Sequence, residues 1–144
     1  MKNKRKNASV RSATLAALLI IAIAVFSLVW ASATQRRLGE LIALTENVLD
    51  KIDLVASDGK IPSAPHDEIL QSANELRDKW DSLKPLASLG VPHSYIRDVD
   101  SSIAQLEGSL DGYDSSQIGA GAHMALVALR QVKRIADIDC ETIF

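Results

Sequence analysis

The sequence predicts an all-α protein: an N-terminal transmembrane helix followed by an antiparallel up-down four-helix bundle. Three observations predict it. Residues 13–33, ATLAALLIIAIAVFSLVWASA, carry no charge. Beyond Thr34 the apolar residues recur at alternating spacings of three and four, the period of a helix face and not of a strand. Clusters of Gly, Pro, Asp and Ser then cut that periodic stretch into four pieces joined by short loops.

The uncharged block comes first. At about 1.5 Å per residue, roughly 20 helical residues cross a hydrocarbon core about 30 Å thick, and a helix satisfies its own backbone groups there. Leu18, Ile21 and Phe26 are its lipid-facing anchors, and Trp30 near the exit suits the interface, where indoles concentrate. Five basic residues and no acidic one precede the block, against Arg36 and Arg37 just after it. The positive-inside bias therefore places residues 1–12 in the cytoplasm, residues 13–33 across the cell membrane, and residues 34–144 outside. A cleaved signal peptide is the rival, because Ala31-Ser32-Ala33 satisfies the small-residue cleavage pattern. The block is longer than the usual h-region, however, and helix-favouring sequence continues past the cut. A buried core helix would not carry such a basic flank. Ala24, Ser27 and Ala31 form a small-residue face through which two such helices can approach.

The first outer helix carries Leu38, Leu41, Thr45, Val48, Ile52 and Val55 on one stripe, widened by Ile42 and Leu49. Since no proline lies between Ser12 and Ser57, membrane helix and outer helix read as one rod, stopped by Asp58-Gly59-Lys60-Ile61-Pro62. Ser63 caps the second helix, with Pro65 in its first turn. Its seam is Ile69, Ala73, Leu76, Trp80, Leu83 and Ala87, and Pro85 kinks or ends it before Gly90. The third runs on Ile96, Val99, Ile103, Leu106 and Leu110, with Asp98, Asp100, Glu107 and Asp111 toward water. Asp111-Gly112-Tyr113 closes it. Asp114 and Gln117 form a capping box for the fourth helix, whose seam is Ile118, Ala122, Ala125, Leu129, Val132 and Ala136. Four such stripes bury one another most simply as an up-down bundle, and a coiled-coil pairing of two copies is the competing arrangement.

Composition narrows the function. The net charge of −2 conceals a balance of −7 beyond Thr34, where 11 basic residues face 18 acidic ones. That acidity argues against a nucleic-acid partner, whose phosphates require a basic surface. A single cysteine, Cys140, excludes disulfide scaffolds and reads as an inert thiol. His66, His93 and His123 lie on different segments with no zinc-ligand spacing, so no cofactor or metal is expected. Gly119-Ala120-Gly121-Ala122 follows no strand and precedes no Lys-Ser/Thr, so it reads as close helix packing and not as a phosphate loop. The candidate ligand or interaction residues are His93 at a helix start, Trp80 on a seam and Asp100. A working His93 needs a carboxylate such as Asp98 or Asp100 within reach and a pocket beside it.

Trp80, the stretch Leu86-Ala87-Ser88-Leu89-Gly90-Val91-Pro92-His93, then Ile96, Val99-Asp100, Ile103-Ala104, Leu106, Gly108 and the final Ile143-Phe144 resemble a bacterial family catalogued as domain of unknown function 4363. The resemblance implies a membrane-anchored helical domain and no assigned activity. Tyr95 and Arg97 stand where that family tends to carry acidic groups, which speaks against a cation-binding cluster beside His93. The expectation is a non-enzymatic, single-pass protein whose partners are the bilayer and a protein, or a second copy of itself. The alternative is a small-ligand-sensing bundle working through a membrane partner. An extracytoplasmic hydrolase lacks the residue constellation it requires.

Overall fold

A computed structural model describes the backbone of residues 2–55 and 60–143 and the side chains of residues 14–55 and 60–137. Four helices account for nearly all of it: α1 (Lys2–Val55), α2 (Ser63–Ala87), α3 (His93–Ser109) and α4 (Ser115–Ile143), with a 3-10 turn at Leu110–Gly112 between the last two. No strand occurs among the described residues; a single isolated bridge pairs Lys60 with Asp114. Asp58 and Gly59, expected to stop α1, and the side chains of Cys140 and Ile143-Phe144 lie outside the described residues.

α1 is one unbroken helix of 54 residues, about 80 Å at ~1.5 Å per residue. It starts at Lys2, ahead of the apolar block. Gly39 inside it causes no break, because its neighbours keep the hydrogen-bond ladder and no foreign atom lies where its β-carbon would be. Along its first half the apolar side chains are uncovered, as at Phe26 with 64 % exposure, and from Thr34 onward one stripe is buried. Within the apolar block Ser27 Oγ donates to the Ile23 carbonyl (2.9 Å) and Ser32 Oγ to that of Val29 (3.1 Å). Hydroxyls bonded to their own helix can stand in an apolar medium.

The four seams read from the sequence meet in one core. Leu38, Leu41, Val48 and Ile52 pack with the six seam residues of α2, the five of α3 and its turn, and the six of α4; Val55 is only half-buried. Trp80 is the largest fully buried side chain. α1 packs on α2, α2 on α3, α3 on α4, and α4 on α1. The register is set by named pairs. Lys51 and Glu68 meet at one end of α1 and α2 (3.6 Å), Trp30 and Leu86 at the other. Arg130 reaches Glu46 (2.6 Å) and Gln35 reaches Asp137 (2.8 Å) between α4 and α1.

Local details depart from the sequence reading at several points. Pro62, not Ser63, occupies the cap position of α2, since its extended ψ of 155° starts the helix one residue earlier and no side chain caps it. Pro85 lies inside the last turn, and α2 continues to Ala87 because the carbonyl it leaves without a donor, that of Asp81, is on an exposed residue. Asp111-Gly112-Tyr113 closes α3 as expected, with Tyr113 in the left-handed region (φ 54°). Asp114 does cap α4, its Oδ1 accepting from the Ser116 (2.9 Å) and Gln117 (3.3 Å) amides. Gln117, however, returns to the Asp114 carboxylate (3.2 Å) instead of its backbone.

Gly121 explains the small residues early in α4. A β-carbon there would lie 2.8 Å from Leu106 Cα, so α3 and α4 approach backbone to backbone. Gly121→Ala is expected to destabilise the fold by about 1–3 kcal/mol through overpacking. Gly39→Ala, meeting open space in a helix interior, is expected to stabilise it by about 0.5–1 kcal/mol. Denaturant unfolding of the full chain in detergent checks both, and equal effects would remove the close-approach explanation.

Candidate functional site

The geometry around the three candidate residues begins with the α2 seam, which carries Trp80 into the core with no exposure. A buried indole N–H needs an acceptor. Trp80 Nε1 donates to Asp100 Oδ1 (2.7 Å), and Lys84 Nζ donates to Asp100 Oδ2 (2.6 Å). One carboxylate on α3 thus receives two groups four residues apart on α2. One turn earlier along α2, Arg77 grips Glu107 with Nε (3.0 Å) and Nη2 (2.6 Å). The hydrogen bond to Glu107 raises the Arg77 pKa above its ordinary value, burial opposes it, and the charges of Glu107, Asp81 and Asp100 add to it. The guanidinium therefore stays charged at every pH where the protein is folded.

These two clamps correct the expectation that Asp100 and Glu107 face water. Both are half-buried, because Arg77 and Lys84 lie on the α2 flank at the register where the α3 carboxylates arrive. His93 opens α3 as expected, but it is exposed and separated from Asp100 by two turns, about 10 Å along the axis. Asp100 is committed to Trp80 and Lys84. The structure therefore joins Trp80 and Asp100 and leaves His93 outside that cluster.

Among the described residues, two open clefts lie elsewhere. A groove of about 350 Å³ between α3 and α4 is lined by Asp98, Ser102, His123, Met124, Val127 and Gln131 among others. Its Ser102 hydroxyl is already bonded to the Asp98 carbonyl (2.7 Å). A smaller cleft of about 90 Å³ lies between Arg37, Glu40 and Leu41 of α1 and Lys79 and Ser82 of α2. Neither encloses a volume, as a small-ligand site does. No group of three or more metal-ligating side chains occurs among the described residues.

The sequence reading missed the packing role of two residues. His66 is buried: its Nε2 donates to the Leu110 carbonyl (2.6 Å) and its ring stacks on Tyr113 at 4.0 Å. Its Nδ1 has no hydrogen-bond partner and lies 3.9 Å from Asp67 Oδ1. The signal was present, since the α2 seam extended three residues back from Ile69 lands on His66. Trp30 is the second. Leu18, Ile21 and Phe26 are uncovered, as an anchor requires, but Trp30 is half-buried and its Nε1 donates to the Leu86 carbonyl (2.9 Å). The tip of its six-membered ring points at Gly90, where a β-carbon would collide with Cη2. The α1 seam followed backward from Leu38 passes through the buried Thr34 to Trp30, so the bundle's packing begins inside the apolar block.

No family model, curated protein or solved structure matches this chain.

Asp100→Ala is expected to cost about 1–3 kcal/mol, because it strands the buried Trp80 N–H. Asp98→Ala, on the exposed side of α3, is expected to fall within about 0.5 kcal/mol of the parent. Thermal unfolding of the two variants side by side checks the difference.

Proposed function

We propose that this chain is a single-pass membrane protein that holds an antiparallel up-down four-helix bundle outside the cytoplasm as a protein-interaction or structural module, and that it is not an enzyme. The observation that carries this reading is the continuity of α1. Uncovered apolar side chains from Leu15 to Val29 and a fully buried stripe from Leu38 to Ile52 belong to one helix. In water the first half would expose a far larger apolar surface than a monomeric protein tolerates. The basic residues before the span and the acidic balance beyond it support a cytoplasmic N-terminus. The residue pairs joining α1 to α2, α2 to α3 and α4 to α1 support the up-down order, since each runs in opposite sense along the two helices. The resemblance to the membrane-anchored family of unknown function belongs to the same reading and rests on the residues around Trp80 and His93.

Retention of the anchor is supported by Trp30. Cleavage after Ala33 would remove the indole that covers Gly90 and bonds Leu86, leaving that end of the bundle open. A non-enzymatic role is supported by how the polar side chains are spent. Asp100, Glu107 and the Nε2 of His66 each hold two elements together, so none of these groups is poised toward a substrate. The exposed Met124 and Val127 beside the α3–α4 groove supply apolar surface for a protein contact.

The test is topological. In a Cys140→Ser background, Asp111→Cys is expected to react with a membrane-impermeant maleimide in intact cells, and Asn7→Cys only after lysis. The protein should stay in the pellet after carbonate extraction, with residues 1–33 present by mass spectrometry. A soluble chain beginning at Thr34 would overturn the anchor, and surface labelling at position 7 would overturn the orientation. Photocrosslinking from Val127 in intact membranes should yield a discrete adduct; a chain that crosslinks only to lipid would overturn the interaction role.

A further inference from the structure

The Trp30 contact fixes how deep one loop of the bundle sits. Because its indole bonds Leu86 and covers Gly90, the α2–α3 turn lies level with a residue three positions inside the end of the apolar block. That turn differs in composition from the rest of the domain. Residues 85–92, PLASLGVP, carry no charge, in a domain with 29 charged residues. Leu89 at its tip is 69 % exposed and adjoins Gly90, the residue that Trp30 contacts.

The backbone of the turn fits an apolar setting as well. Ser88 and Val91 amides donate to the Lys84 and Ala87 carbonyls (both 2.9 Å), and Leu89 and Gly90 amides donate to those of Leu86 and Ala87 (3.3 and 3.2 Å). Pro85 and Pro92 have no amide hydrogen to satisfy. The Ser88 hydroxyl is bonded to the Lys84 carbonyl (2.8 Å), and the Leu86 carbonyl takes the Trp30 N–H. Irregular backbone enters the edge of a bilayer at lower cost when its amides are paired internally in this way. Arg36 and Arg37, both exposed and roughly 10 Å further along α1, lie at a height suited to lipid phosphates.

We propose that the α2–α3 turn is a second lipid contact, with Leu89 seated in the bilayer interface beside Trp30. The occupant of this apolar tip is the membrane itself, because the Trp30 contacts with Leu86 and Gly90 hold the uncharged turn at the end of the uncovered apolar block. This inference rests on the reading of α1 as a membrane anchor. The bundle then stands on the bilayer at two points and does not swing freely about a tether.

The experiment uses the full chain with Cys140→Ser, reconstituted in phosphatidylcholine vesicles containing a lipid spin-labelled near its headgroup. Single substitutions Leu89→Cys, Phe26→Cys and Asp111→Cys carry an environment-sensitive fluorophore. Leu89 is exposed, so its replacement leaves the core intact. The Leu89 probe is expected to be quenched at least half as strongly as the Phe26 probe, and the Asp111 probe not at all. Quenching at Phe26 with none at Leu89 would overturn the second contact while leaving the anchor in place, and would make the turn a solvent-facing surface. Absence of quenching at both would overturn the anchor and this inference together.

Discussion

A single helix lives in two surroundings. α1 changes from uncovered apolar side chains to a buried seam without a break in its backbone, and the change is made over the few residues from Trp30 to Leu38. Everything else in the structure is referred to that rod. α2 and α4 pack directly along its second half, and α3 is held by both of them. Because the helix carries no proline and its one glycine leaves the ladder intact, the direction of the first half dictates the direction of the bundle.

The second constraint is chemical. A small domain with an acidic surplus has to settle its buried polar groups, since an unpaired one costs about 1–3 kcal/mol. The Trp80 indole N–H is settled across α2 and α3, the pair whose interface is less extensive than that of α3 with α4. Where backbones touch, at Gly121 on Leu106, no polar bridge is needed. Where the helices stand further apart, Trp80, Lys84 and Arg77 reach across to Asp100 and Glu107. Long side chains fill the wider interface and small ones the narrow one, which is how four unequal seams enclose one core.

The division between what the sequence revealed and what it concealed follows from this. Each seam was legible residue by residue, because burial along a helix repeats with a fixed period: Ile69, Ala73, Leu76, Trp80, Leu83 and Ala87 were all read correctly. Partnerships across helices were not legible. Asp100 and Glu107 look like solvated charges until the register of α2 against α3 brings Lys84 and Arg77 to them, and register depends on loop geometry that no period encodes. The packing of His66 and Trp30 into the bundle was missed for a different reason. Both continue a seam past the point where composition changes, so a proline-bounded helix start hid one and an apolar block hid the other. Of the candidate site, the Trp80–Asp100 pair came together in space, whereas His93, singled out as a histidine opening a helix, stands exposed there.

The end of the bundle far from Trp30 is closed by another device. The Ile61 amide donates to the Tyr113 carbonyl (3.1 Å), Lys60 pairs with Asp114, and the His66 ring rests on Tyr113 while bonding Leu110. The segment entering α2 and the turn entering α4 are thereby sewn into one seam. Neither can fray by itself: exchange of the Ile61 amide with solvent requires the α3–α4 turn to open at the same moment. Thermal breathing at that tip thus couples the start of α2 to the α3–α4 turn.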